Sequence, residues 1–471
     1  MKKHWKLAVS TAVPLFILLL PASWRPLEMT VIEHRILAIF FFACFSWILE
    51  PIPVYATSVM VILLELTMTS DQSFLFFQGA PGDAAFGTIL NYKEIMATFA
   101  HPIILLFLGG FFLAIASSKY RLDLNLARII LKPFGGDPRS ILLGLMLITA
   151  LFSMFMSNTA ATAMMFAILT PVLKSFDPND SGRIALILGI PFAANIGGIG
   201  TPIGTPPNAI ALRYLTGGDA IAFGTWMCFA VPYVIVLLLF AWVLLLRFFP
   251  MQSREIRLTI ESRFLTHSKA VILYITFAVT VLLWLFGEMH GMNSYVVAMI
   301  PVAVFSITQV ITAEDLKKIS WDVLWLVSGG FALGLGLEKS GLSATLIHHI
   351  PFAALPPFLL VLLCTLLCYA IANFMSHTAA ANLLLPIIAV LGAGMTALDP
   401  LGGRTMLILI SAMAASLSMV LPISTPPNAI AYASGWIQTR HMSLVGAILG
   451  LVGLLGLYLL MWILNTVGFF S

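Results

Sequence analysis

The sequence predicts an all-α polytopic membrane protein, with about 11 transmembrane helices plus two re-entrant hairpins in two inverted repeats. Three observations carry this. Only 9% of the 471 residues are charged and 60% are hydrophobic, where a soluble domain has about 25% charged residues. Apolar runs of helix-spanning length recur along the whole chain. Finally, the heptad TPPNAIA occurs twice, at 205–211 and 425–431, inside hydrophobic sequence where a helix breaker needs a reason.

The expected spans, in order, are 7–24, 34–50, 53–68, 101–118, 183–212, 224–247, 269–287, 293–311, 321–338, 404–431 and 442–466. The first has a basic start and an apolar core, as a signal peptide has. No clean small-residue cleavage site follows, so it is read as a retained helix. Two further stretches, 140–174 and 354–398, are too long for one span and are interrupted in the middle. Each reads as helix, polar tip, helix: Ser157-Asn158-Thr159 is the first tip and Ser376-His377-Thr378 the second. Neither arm of these hairpins is expected to cross a hydrocarbon core of about 30 Å alone. Cys44, Cys228, Cys364 and Cys368 all lie in apolar runs and read as ordinary helix residues.

Lys and Arg set the topology. The N-terminus carries Lys2, Lys3 and Lys6. Residues 119–139 carry Lys119, Arg121, Arg128, Lys132 and Arg139, and 247–269 carry Arg247, Arg254, Arg257, Arg263 and Lys269. Residues 69–100 have only Lys93 against Asp71, Asp83 and Glu94. The first three segments are therefore expected in the cytoplasm and the last outside, which holds only if 140–174 enters and leaves on one side. This puts the N-terminus in the cytoplasm and the C-terminus outside. Arg25 and Arg35 run against the pattern.

The heptad has company. Gly109-Gly110-Phe111 matches Gly329-Gly330-Phe331, and Lys119 matches Lys339, all at an offset of 220. FMSNTAA from Phe155 matches FMSHTAA from Phe374, at an offset of 219. Landmarks in one order at one offset mark two homologous halves. An odd number of crossings separates the two Gly-Gly-Phe segments, so the second half is expected upside down. The expected divisions are 1–100 (N-terminal helices, mainly scaffold), 101–247 (first repeat), 248–311 (basic cytoplasmic linker and scaffold helices) and 312–471 (second repeat). Inverted repeats with broken helices are the architecture of secondary transporters, with substrate near the midplane.

The breaks supply the chemistry. Thr is a good N-cap and Pro suits the first turn, so Thr205-Pro206 and Thr425-Pro426 should each start a half-helix. Irregular backbone at membrane depth is tolerated only where protein buries it or it lines a cavity. Helix N-termini favour anions and freed carbonyls favour cations. Asn208 and Asn428 either join such a site or only hydrogen-bond the freed backbone. Residues 140–173, 184–212, 351–398 and 405–439 contain no Asp, Glu, Lys or Arg. A cation there meets only neutral oxygens, which suit Na⁺, and His377 is the one titratable exception.

Paired Ser-Asn-Thr tips and paired TPPN breaks in inverted halves resemble the divalent anion/sodium symporter family, the INDY-type di- and tricarboxylate transporters. The resemblance covers nearly the whole chain. It implies a homodimer with a scaffold and a mobile transport domain in each protomer, moving as an elevator. It implies Na⁺-coupled uptake of C4-dicarboxylates such as succinate, fumarate and malate across a bacterial cytoplasmic membrane. The alternative is sodium-independent di- or tricarboxylate exchange. Carried onto this chain, Ser157, Asn158 and Thr159 bind Na⁺ and one carboxylate, and Ser153 with the Gly204 carbonyl completes the Na⁺ site. Ser376 and Thr378 take the other carboxylate, while Thr205, Pro206, Thr425 and Pro426 close the pocket. The Ser424 carbonyl and His377 stand at the second cation position.

Here the chain departs from the pattern. The second tip reads Ser-His-Thr, and Ala372 stands where the first repeat has Ser153. Three roles are open for His377: a neutral structural residue, a site residue touching substrate or cation, or a positive charge replacing the second Na⁺. Other function classes fit worse. A channel is disfavoured by midplane breaks, and an intramembrane enzyme needs ionisable groups at depth that the repeat cores lack. No nucleotide motif suggests primary transport, and no basic stripe suggests nucleic acid.

Overall fold

The computed structural model describes residues 4–21, 28–79, 83–175, 180–253, 260, 262–349 and 355–470. Lys2, Lys3, Arg25, Arg254 and Arg257, used above for topology, lie outside these, as does the entrance to the second hairpin at 354. The described residues are helical apart from turns, loops and one isolated bridge between Ser70 and Leu90.

The first half opens with α1 (His4–Leu18), α2 (Val31–Leu49), α3 (Val54–Met68) and the short α4 (Tyr92–Ala97). It continues with α5 (Pro102–Lys119), α6 (Leu122–Leu131), α7 (Pro138–Phe155) and α8 (Asn158–Ser175). It closes with α9 (Gly182–Gly198), α10 (Pro206–Tyr214) and α11 (Phe223–Phe248). The second half begins with α12 (Ser268–Leu285), α13 (Gly287–His290), α14 (Ser294–Val297), α15 (Met299–Ile307) and α16 (Ala313–Leu316). Then come α17 (Trp321–Lys339), α18 (Leu342–His349), α19 (Pro357–Phe374) and α20 (His377–Ala393). The chain ends with α21 (Gly403–Ser416), α22 (Pro426–Ala433) and α23 (Thr439–Thr466).

Local chemistry sets the boundaries. Thr30 and Glu33 form a reciprocal capping box at the start of α2, and Glu50 in the left-handed region ends it before two prolines. Asp137 caps α7 at the Ser140 amide, with Pro138 in the first turn where its missing N–H is no loss. Among the described residues, seven helical stretches are long and apolar enough to cross a membrane. The expected span at 293–311 is seen as α14 and α15, which adjoin at Ala298 with helical dihedrals and end near Gln309, whose φ is +53°.

One succession of elements appears twice. From α2 to α11 it runs long helix, second helix, short helix, long helix, short helix, hairpin, broken helix, long helix. From α12 to α23 it runs similarly when α14 and α15 are taken together and the four-residue α13 is set aside. Tyr233 on α11 donates to the Gly453 carbonyl on α23 at 2.9 Å, a contact between positions 220 apart.

The doubled Gly-Gly-Phe segments are packing surfaces. A Cβ on Gly109 would lie 2.4 Å from the Ala298 carbonyl oxygen, and one on Gly329 would lie 2.3 Å from Ser58 Cβ. Only glycine lets α5 reach the α14–α15 backbone and α17 reach α3 so closely. On the other side of α17, Asn382 of α20 lies over Gly330 and donates to the Leu326 carbonyl at 2.8 Å. Thus α17 stands between α3 and the second hairpin.

Both hairpins are present, with tips at 156–157 and 375–376. Their arms are close to spanning length: α7, α8 and α19 have 18 residues and α20 has 17, or about 27 Å of rise for 18 residues. Arm length therefore does not set them apart from spans. Their tips do, because both line one internal cavity.

Candidate functional site

The cavity holds about 230 Å³. Ser157, Asn158 and Thr159 of the first tip line it, as do Ser376, His377 and Thr378 of the second. Gly204, Thr205 and Pro206 come from the first break, and Ser424, Thr425 and Pro426 from the second. Four segments that lie far apart in sequence thus meet in one place. Ser153 lies behind the first tip, fully buried.

The tips are N-termini of full-length helices. Ser157 Oγ accepts from the Ala160 amide and Ser376 Oγ from the Ala379 amide, each at 3.2 Å. In each case the helix N-terminus and its hydroxyl face the cavity, an arrangement suited to a carboxylate. The broken helices differ. Thr205 and Thr425 do precede α10 and α22, but each helix begins with two prolines, which have no N–H to offer. An anion's hydrogen bonds therefore fall to the tips. Thr425 Oγ1 caps its helix by accepting from the Asn428 amide at 3.2 Å. Thr205 makes no such side-chain cap, and its hydroxyl is left to the cavity wall.

Asn208 and Asn428 hold the freed backbone. Asn208 Nδ2 donates to the carbonyls of Gly198 (3.3 Å), Ile199 (3.2 Å) and Thr201 (2.9 Å). Asn428 Nδ2 donates to Met419 (3.0 Å) and Leu421 (3.1 Å), the positions equivalent to 199 and 201. Both asparagines are fully buried, and neither lines the cavity. Of the two roles open to them in the sequence, the geometry gives the structural one.

Neutral oxygens crowd together behind the first tip. Ser153 Oγ contacts both Asn158 Oδ1 and the Ala194 carbonyl, although it has one proton to share. A Cβ on Gly204 would lie 2.5 Å from the Gly198 carbonyl oxygen and 2.8 Å from that of Ser153. A Cβ on Gly198 would lie 2.8 Å from Asn158 Oδ1 and 2.9 Å from the Gly204 oxygen. This donor set of hydroxyl, carboxamide and carbonyl oxygens fits a hard monovalent cation such as Na⁺.

The equivalent place in the second half differs. His377 Nε2 lies 2.5 Å from the Ser418 carbonyl, the counterpart of Gly198. A carbonyl only accepts, so Nε2 carries a proton and donates it there. The imidazole thus takes an oxygen that its counterpart leaves to the cradle, and Ala372 adds none. Ser424 turns its hydroxyl onto the Leu421 carbonyl at 2.5 Å.

Sequence reasoning missed two cavity residues, Asn195 and Asp322. Asn195 Nδ2 donates to Thr425 Oγ1 (3.2 Å) and Asn428 Oδ1 (3.1 Å), and so ties α9 of one half to α22 of the other. Its only signal was a lone polar residue in PFAANIGG. Apart from Asp322 the remaining lining is largely apolar, with Val54, Phe107, Phe111, Val323 and Leu326 among it.

A family model described as the sodium:sulfate symporter transmembrane region matches residues 1–468. The chain belongs to the sodium:sulfate symporter family. Family members are membrane transporters, not enzymes. Similar curated members include the sodium-dependent dicarboxylate transporter SdcS of Staphylococcus saprophyticus, 30% identical over 489 residues, with 96% of this chain and 90% of that protein covered. SdcS of Staphylococcus aureus is 30% identical over 472 residues, covering 92% of this chain and 86% of that protein. Among solved structures, the YdaH transporter of Alcanivorax borkumensis superposes with a TM-score of 0.51 at 13% identity, over 92% of this chain and 99% of that one. MtrF of Neisseria gonorrhoeae, titled as illuminating a class of antimetabolite efflux pumps, gives 0.51 at 13%, over 87% and 94%. For these two structures the likeness is one of fold alone.

Proposed function

We propose that this chain couples Na⁺ to the uptake of C4-dicarboxylates such as succinate, fumarate and malate across a bacterial cytoplasmic membrane. One observation carries the proposal: two serine-started helix N-termini line one cavity, with a cradle of neutral oxygens behind the first. Na⁺ among Ser153, Asn158, Gly198 and Gly204 draws together oxygens that otherwise repel. That fixes the first tip against the α9–α10 break, so that Ser157, Asn158 and Thr159 are positioned for one carboxylate. Ser376 and Thr378 take the other. A cation that orders the anion site lowers the cost of binding it, which is thermodynamic coupling. The name of the SdcS relatives supports both the cation and the substrate class.

The two halves are inverted repeats in this reading. The hairpins and broken helices move as one body against α3, α5 and α17 in an elevator step, within a homodimer. The N-terminus is cytoplasmic and the C-terminus external. The cavity between tips and apolar wall suits such sliding, because no charged pair has to break across it.

Proteoliposome uptake of labelled succinate, fumarate, malate and citrate, with and without an inward Na⁺ gradient, tests the proposal. Na⁺-driven accumulation of the C4 acids is expected. Equal uptake in K⁺ or choline overturns the symport. A second reading, carboxylate exchange without Na⁺, is favoured by one observation: His377 takes the Ser418 carbonyl at the second cation position.

A further inference from the structure

The cavity is neutral along its tips and breaks, but it is not free of charge. Asp322, in the first turn of α17, lines it and is exposed. It is the only carboxylate among the described lining residues. Among the described residues no hydrogen bond or ion pair engages it, since nearby Lys318 is paired with Asp315 at 3.1 Å. A negative charge is favoured at a helix N-terminus, so the position holds the charge without a partner. Its counterpart in the first half is Pro102, so Asp322 is not part of the doubled site. It lines the cavity together with Val323 and Leu326 of its own helix and with Val54, Phe107 and Phe111.

A fixed anion in an anion pocket needs a reason. A C4-dicarboxylate that gives one carboxylate to each tip turns only its carbon backbone toward this wall. A tricarboxylate has a third carboxylate left over, and with both tips occupied it must face the wall. We propose that Asp322 is the charge filter of this site, repelling the third carboxylate of tricarboxylic acids and so confining transport to dicarboxylates. This rests on the dicarboxylate reading above. Specificity here comes from a repulsive element against the wrong ligand rather than from a contact to the right one. Two unit charges about 4 Å apart repel by about fivefold in affinity even at the dielectric of water, and by more in a partly desolvated cavity.

The test uses the full chain in proteoliposomes at neutral pH. Labelled succinate uptake is inhibited by unlabelled succinate and, separately, by propane-1,2,3-tricarboxylate, which adds a carboxylate without a hydroxyl. Wild type, Asp322→Asn, Asp322→Ala and Asp322→Glu are compared. The measured quantity is the ratio of the two inhibition constants, which cancels differences in expression. For Asn and Ala the tricarboxylate penalty is expected to fall about fivefold or more, and for Glu it should persist. An unchanged ratio in both neutral variants overturns the filter, as does a parallel shift for both inhibitors. Failure of wild type to take up succinate would instead remove the dicarboxylate reading itself. Asp322 is exposed and makes no hydrogen bond, so two neutral replacements of different size guard against loss of folding in one.

Discussion

Asn195 and Thr425 are joined side chain to side chain across 3.2 Å, in the interior, from opposite halves of the chain. The same carboxamide reaches Asn428 Oδ1 at 3.1 Å, while Asn195 Oδ1 is buried without a hydrogen-bond partner. The two breaks are therefore not independent, because a side chain beside the first holds the N-cap of the second.

Asn195→Ala should accordingly disturb the second break. It removes two buried hydrogen bonds, each contributing about 1 kcal/mol, and leaves Asn428 Oδ1 unpaired. Substrate affinity should fall about tenfold, and Thr425→Val should cost less in the Asn195→Ala background than in wild type. Binding titrations on the four proteins of the cycle measure this. Strictly additive losses would show that the contact carries no coupling.

Gly204 is expected to tolerate no side chain. In Gly204→Ala the new methyl would lie 2.5 Å from one backbone oxygen of the cradle and 2.8 Å from another. Half-saturating Na⁺ for succinate uptake should rise at least about tenfold, equivalent to ~1.4 kcal/mol. Ser424→Ala at the equivalent position should have a smaller effect. Similar Na⁺ curves for wild type and Gly204→Ala would remove the cradle as the cation site.

His377→Asn gives the second tip the composition of the first. With the imidazole N–H gone, the Ser418 carbonyl is released. The Na⁺ dependence of uptake should then steepen, with a higher Hill coefficient than wild type. A curve unchanged in shape, with uptake intact, would make His377 purely structural. Loss of uptake restored by no Na⁺ concentration would point to a positive charge in its place.

Asp315 sets a pH dependence of stability. It lies in the α15–α17 connection, against Lys119 at the end of α5, with Lys318 at 3.1 Å. Burial works against its charge, yet hydrogen bonds from Lys119, Thr312 and Lys318 outweigh burial and hold its carboxyl well below the ordinary carboxylate range. A depressed carboxyl stabilises the fold fully above its unfolded value, near pH 4, and loses that contribution as pH falls through its folded value. Thermal unfolding in detergent should show Asp315→Asn less stable than wild type at pH 7 by an amount constant down to about pH 5. The gap should close only below about pH 4. A gap that widens with acid would contradict the assignment.

Most helix boundaries could be read in the sequence because their causes are local. Pro206 and Pro426 cannot extend a preceding helix, and Ser157 and Ser376 satisfy the amides of the helices they start. The 220-residue offset depends on the sequence alone. The start of α7 lies two residues before the apolar stretch at 140, because helix continuity follows capping by Asp137 rather than hydropathy and carries the charged Arg139 with it. The helical ladder loosens at Ala298 because Pro301 has no N–H to donate to the Val297 carbonyl.

What the sequence determined by itself is therefore the helical membrane fold, the doubled motifs, the tips, the breaks and the lack of charged residues in 140–173, 184–212, 351–398 and 405–439. Each follows from hydropathy or from the covalent chemistry of one or two adjacent residues. What only the tertiary structure decided is how side chains distant in sequence meet. His377 takes the Ser418 carbonyl, Asn195 reaches Thr425, and Asp322 lines the same cavity as the tips. The reason is rotational. In a helix that is apolar on every side, periodicity does not mark an inward face. Which way a lone Asn or Asp points is set by the packing of neighbouring helices, and here that packing depends on close approaches such as Gly329 against Ser58.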